Sequence, residues 1–206
     1  NGIAEGIKIS EKYIQNKKIC LVLGDNILYG NSLIKTLINA KQIKNGGAEI
    51  FGYFVKNPAI YGVIEFNKNN TIKNIHEKPK KFFSNYAVPG IYFYDENAIN
   101  FVKTMKPSSR GELEITELNK IYLKQNKLKV NILNRGFAWL DTGTNENLIN
   151  ASNFVYSIEK RQGLKIACIE EIAYHNKWIN SKELRKLINK NNFKSDYADY
   201  LKYLLK

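Results

Sequence analysis

Apolar and polar positions along the chain follow two periods, and the switches between them outline an α/β protein. Ile3 to Ile14 sets apolar residues at 3, 4, 7 and 14 among Lys and Glu, the spacing of an amphipathic helix. Ile19 to Leu23 is almost wholly apolar, which predicts a central strand buried on both faces of a parallel sheet. Ser32 is placed to cap a helix through Leu33, Ile34, Leu37, Ile38 and Ala40, ended by Gly46-Gly47. Ala48 to Val55 then reads as the next strand. Strand, helix and strand within about forty residues make the βαβ pattern of a parallel sheet.

Gly62 to Phe66 and Thr71 to Glu77, joined through the Asn67 to Asn70 turn, predict a hairpin. Ala87 to Tyr94 is a strand interrupted by Pro89-Gly90, a pair that signals a bulge or an edge where backbone approaches a ligand. Helices are expected over 95–104 and 114–124, near Asp95 and Thr116, and a strand over Leu128 to Leu133. Arg135 to Thr144 runs from strand to loop into a long helix from Asn145 to Arg161, and two or three further helices reach Lys206. The last carries an apolar-aromatic stripe, Tyr197, Tyr200, Leu201, Tyr203 and Leu204, suited to packing on the body of the protein or to a subunit interface. The expected fold is a Rossmann-like, mostly parallel sheet with flanking helices over 1–155, followed by a C-terminal helical region over 156–206 packing on it.

With 206 residues and 44% hydrophobic content the chain can bury a sizeable core. No run approaches the roughly 18 apolar residues of a membrane span, and Asn1 to Ser10 lack the basic and apolar regions of a secretory signal. Cys20 and Cys168 are far apart, in apolar surroundings and outside any CxxC, which suits buried free thiols in a reducing cytoplasm. The net charge of +13 comes from 32 Lys+Arg against 19 Asp+Glu. The lysines are scattered through Lys-Asn turns such as Lys17-Lys18, Lys80-Lys81 and Lys190 to Lys194, with no aromatic-basic RNA signature and no Cys/His finger spacing. Nucleic acid and membrane are therefore not expected partners, and the charge supports anionic small molecules only weakly.

Two strand-end carboxylates stand out. Asp25 follows an apolar run and Gly24, a glycine expected to turn the backbone where a Cβ would clash; Asp141 lies within Trp139 to Thr144. Open α/β sheets bind ligands beyond the carboxyl ends of their strands. Each aspartate reads alone as a turn or helix cap or as a ligand anchor; converging, the pair suits Mg²⁺, which takes one or two carboxylates plus phosphate oxygens. Glu77-Lys78-Pro79 sets an acceptor for sugar hydroxyls beside an ammonium for phosphate, with proline forcing an extended exit; a surface ion pair would look the same. Arg110, opening Arg110 to Thr116, has the fork to meet phosphate oxygens, while a helix dipole accounts equally for the glutamates after it. The chain has no P-loop and no G-x-G-x-x-G, and His76 and His175 are its only histidines. Ser-His-Asp and zinc-hydrolase chemistry fall away.

Taken together and in order, Leu23-Gly24-Asp25-Asn26, Tyr61-Gly62-Val63, Glu77-Lys78-Pro79, Ser84 to Val88, Arg110 to Thr116 and Trp139 to Thr144 resemble the bacterial glucose-1-phosphate thymidylyltransferases, over nearly the whole chain through Ala151 to Phe154 and Arg161 to Leu164. The resemblance implies the nucleotide-diphospho-sugar transferase fold and Mg²⁺-dependent formation of dTDP-glucose and pyrophosphate from dTTP and glucose 1-phosphate. It implies Asp25 and Asp141 as Mg²⁺ ligands, Lys78 facing the sugar phosphate with Arg110 assisting, and Glu77, Gly62, Tyr61 and the Val88 backbone lining the glucose pocket with Tyr92 and Trp139 nearby. Gly2 is similar to the family glycine whose backbone lies against the thymine base. Homotetramers with a second nucleotide site are common in the family. One departure stands out: the family opens with a glycine-rich Gly-Thr-Arg loop and a lysine around the triphosphate, and this chain starts after them. An N-terminally truncated fragment, inactive by itself, is therefore expected. A sibling uridylyltransferase and a non-catalytic sugar-nucleotide-binding subunit remain the alternatives.

Overall fold

The computed structural model of the protein describes residues 2–43, 46–190 and 196–206. Of the predicted Lys-Asn turns, that at 190–194 lies, apart from Lys190, outside the described residues. In chain order the elements are α1 (Ile3–Ile9), α2 (Glu11–Ile14), β1 (Ile19–Val22), β2 (Asn26–Gly30), α3 (Leu33–Gln42), β3 (Ala48–Phe54), β4 (Gly62–Phe66), β5 (Ile72–Glu77), β6 (Tyr86–Ala87), β7 (Ile91–Tyr94), α4 (Ala98–Thr104), α5 (Ile115–Lys124), β8 (Leu128–Leu133), β9 (Phe137–Asp141), α6 (Asn145–Gln162), α7 (Ile169–His175), α8 (Ser181–Lys190) and α9 (Asp196–Tyr203). Two compact units divide the chain, Asn1–Gly143 and Thr144–Lys206. The boundary falls where α6 begins, earlier than the residue-155 boundary read from the sequence.

The α/β architecture is as expected, but the sheet is mixed rather than mostly parallel. Its order is β1-β7-β3-β6-β4-β5, with β8 against the other edge of β3. The β3–β8 ladder is parallel; β7 and β6 run antiparallel to β3, and β4 antiparallel to β5 and β6. Strands joined by a short turn or kink, such as β4–β5 and β6–β7, must reverse or bend, and these connections dominate one half of the sheet. Ile19–Val22 is not the doubly buried centre. Among the described residues it pairs with β7 alone, and Cys20 and Val22 on its outer face are exposed, which also corrects the expectation of a buried Cys20. Cys168 is buried as expected.

The doubly buried strands are β3 and β7. Alternation sends Ile50, Tyr92 and Tyr94 to one face, where α1, α4 and α5 contribute Ala4, Ile7, Ile99, Val102, Leu118 and Tyr122. Phe51, Ile91 and Phe93 point to the other face, against Ala40 and Leu37 of α3 and Phe137. The predicted 3–14 helix breaks at Ser10 into α1 and α2. In the second unit, α6 is capped by the Thr144 side chain, which accepts the Asn147 N–H, and stops at Gly163 with φ +70°. Tyr200 and Leu201 of the α9 stripe pack with Cys168, Leu184 and Ile188 in a core of that unit.

Candidate active site

The element that assembles the site is a two-stranded ribbon of β2 and β9, of which β2 was not foreseen. Its register sets Asn26 opposite Asp141. The Asp25 carbonyl accepts both the Thr142 N–H (2.8 Å) and the Thr142 hydroxyl (2.9 Å), which locks the two strand ends together. Both carboxylates lie beside Gly143: the place a Cβ there would occupy is 3.1 Å from Oδ1 of Asp141 and 3.8 Å from Oδ2 of Asp25. Asp25 also accepts from Asn26 Nδ2, and Asp141 from the Gly143 N–H. A Cβ at Gly24 would meet nothing within 4 Å, so the expected steric reason for that glycine is absent.

Beside this pair lies a cavity of about 230 Å³. It is lined by Asp25, Asp141, Tyr61, Gly62, Glu77, Lys78, Val88, Tyr92, Arg110 and Trp139, so the structure brings together every singled-out site residue except Gly2. Gly2, at φ +85°, presses its backbone on Leu113 and is represented at the wall by its neighbour Ile3. The Val88 N–H is used by the Gly62 carbonyl at 2.8 Å. A Cβ on Gly62 would stand 3.3 Å from Thr116 Oγ1 and 3.6 Å from Glu77 Oε2, so glycine keeps the approach to that acid open.

The two cations differ. Arg110 is shared among Glu112 (2.9 Å), Glu114 (3.6 Å) and Glu77 (3.9 Å), a carboxylate cage rather than a free fork. Lys78 is exposed and forms no ion pair among the described residues. Its backbone is not the extended exit that Pro79 predicts: φ is +40°, held by the Lys78 N–H to the Tyr61 carbonyl at 3.0 Å. Such strain in a non-glycine residue persists only where its surroundings fix it, most often at functional sites.

The aromatic wall is electrostatically tuned. Burial, the Asp141 charge and a hydrogen bond to that carboxylate raise the Tyr61 hydroxyl above its ordinary pKa. Burial, then the negative charges of Glu77 and Asp25, push Tyr92 well up, so it stays a neutral donor. Trp139 packs against Tyr61 (centroids 4.8 Å) and gives its indole N–H to Asn26 Oδ1 at 2.6 Å, which also takes the Gly90 N–H. Asn26, Glu114, Thr116 and Asn119 also line the cavity and received no role from the sequence. Asn26, Glu114 and Thr116 lay within motifs the sequence already singled out; Asn119, fully buried within α5, carried no signal to separate it from core.

Residues 1–158 match the family model described as nucleotidyl transferase. The chain belongs to the nucleotidyl transferase family. Among relatives in this family, the glucose-1-phosphate thymidylyltransferase of Neisseria meningitidis is 49% identical over the whole chain, which spans 71% of that protein. The enzyme of that name from Mycobacterium tuberculosis is 46% identical, again over the whole chain and 70% of the relative. Among solved structures, a Bacillus anthracis protein assigned as a glucose-1-phosphate thymidylyltransferase, crystallised with sucrose, superposes with a TM-score of 0.64 at 35% identity, covering 75% of this chain and 61% of that one. A UDP-glucose pyrophosphorylase complexed with UDP-glucose, at 24% identity and a TM-score of 0.67 over 76% of this chain and 62% of that one, shares the fold.

Proposed function

We propose that the protein transfers a thymidylyl group from dTTP to glucose 1-phosphate, giving dTDP-glucose and pyrophosphate. The observation that carries this reading is that Asp25 and Asp141 lie together beside Gly143, at a cavity that also holds Glu77 and Lys78, which forms no ion pair among the described residues. The donor set suits Mg²⁺: two carboxylates, with no cluster of three or more ligating side chains among the described residues, leave positions for water and phosphate oxygens. Bound there, Mg²⁺ would neutralise charge developing on the phosphates.

The chain's own groups do the positioning. Glu77 accepts hydrogen bonds from sugar hydroxyls, Gly62 leaves them room, and Tyr61 and Trp139 form the apolar wall. Lys78 faces the sugar phosphate, with Arg110 beside it. An oxygen of that phosphate attacks the α-phosphorus of dTTP in line, the new P–O bond forms as the α–β bridge breaks, and pyrophosphate departs. Thymine is favoured over uracil by the names of the 46–49% identical relatives. Free thiols at Cys20 and Cys168 suit a reducing compartment, which fits a cytoplasmic activity.

The test is pyrophosphate release with dTTP and glucose 1-phosphate, using this chain joined to the part of the Neisseria meningitidis relative that it does not span. Asp25→Asn and Asp141→Asn should each cut turnover at least about a hundredfold while leaving the fold intact. Unchanged turnover in both variants would remove the reading, and faster turnover with UTP would transfer it to a uridylyltransferase.

A further inference from the structure

Asn119 sits on α5 one turn beyond Thr116, on the helix face that borders the cavity. It is fully buried. Its Oδ1 accepts the Tyr94 hydroxyl at 2.7 Å, but its Nδ2 exposes under 1 Å² and has no hydrogen-bond partner among the described residues. Buried amide donors are almost always paired, because an unmade bond carries the full desolvation of the group. The Tyr94 contact fixes the carboxamide, and Tyr94 is in turn stacked parallel to Tyr92 of the cavity wall at 6.2 Å. The carboxamide is therefore held in place on a residue that lines the cavity.

We propose that Asn119 is a specificity-determining residue of the sugar pocket, its Nδ2 donating to one hydroxyl oxygen of the bound hexose at the cavity floor. The inference rests on the sugar-phosphate reading above. A neutral amide suits a hydroxyl rather than the phosphate, which belongs with the exposed Lys78 at the rim. It also complements Glu77, which only accepts while ionised: together they recognise a hydroxyl as both donor and acceptor. A pocket built this way discriminates strongly against a sugar lacking that hydroxyl, since the amide is then left unpaired again.

Calorimetry of this chain with glucose 1-phosphate and its 2-, 3-, 4- and 6-deoxy analogues tests the proposal. The protein should bind one deoxy analogue about tenfold more weakly than the parent sugar phosphate. Asn119→Leu should weaken the parent about tenfold and abolish discrimination against that one analogue, leaving the ranking of the others intact; Asn119→Ser, too short to reach the ligand, serves if the leucine variant does not fold. Unchanged affinity and ranking in the variant would assign Nδ2 to a trapped water or to the fold, overturning the inference while the sugar-phosphate reading stands. Failure of the unsubstituted chain to bind glucose 1-phosphate would remove both.

Discussion

Asp95 illustrates what single side chains do here away from the cavity. Its carboxylate, 2% exposed, accepts the Gly47 N–H at 2.6 Å, the Tyr122 hydroxyl at 2.7 Å and the Asn97 N–H at 3.0 Å. Burial alone raises its pKa, but these donors outweigh it and hold the carboxyl below its usual value. A lowered folded-state pKa contributes stability above the unfolded value of about 3.9, lost as pH falls through the folded value. Asp95→Asn should therefore cost about 2–3 kcal/mol at neutral pH, with the gap to the parent closing below about pH 4, as read from urea unfolding across pH. The sequence shows Asp95 only as a residue near a helix start, because its partners on Gly47 and Tyr122 come from other elements.

At the scale of elements, register depends on a few close approaches. Gly47, at φ +101°, lies where β3 meets the start of β8, and a Cβ there would stand 2.2 Å from the Lys127 carbonyl oxygen, which also accepts the Ala48 N–H. Gly47→Ala should cost more than about 2 kcal/mol, combining backbone strain with a lost ladder contact. Gly24→Ala, with nothing near its Cβ, should stay within about 0.5 kcal/mol of the parent; chemical denaturation of the two variants checks both. The hairpin β4–β5, helices α3 to α6 and strands β3 and β8 were legible from periodicity and turn residues. The edge position of β1 was not. An apolar run says that a strand is buried somewhere, whereas which strands flank it is decided by non-local pairing.

Across the whole molecule, the two units keep separate apolar cores, so a core substitution in the second should act on stability without reshaping the cavity. Leu201, fully buried between Leu184, Ile188 and Tyr200, gives the test: Leu201→Ala should cost about 3 kcal/mol in a denaturant titration, while glucose 1-phosphate affinity measured below the transition stays that of the parent. Among the described residues, no helix is long and apolar enough to cross a membrane.

The sequence by itself determined the repertoire: helices and strands from their periods, hairpin and caps from turn chemistry, and the family from motifs whose residue types reflect phosphate and sugar chemistry. Only the tertiary structure decided that β2 and β9 zip together and bring Asp25 and Asp141 side by side, and that three glutamates cage Arg110; among the described residues it also leaves Lys78 without an ion pair and Asn119 buried with an unused donor. The physical reason is range. Periodicity and capping act over a few residues and are written locally, whereas strand pairing, ion-pair choice and the satisfaction of buried polar groups depend on what distant segments bring to the same place.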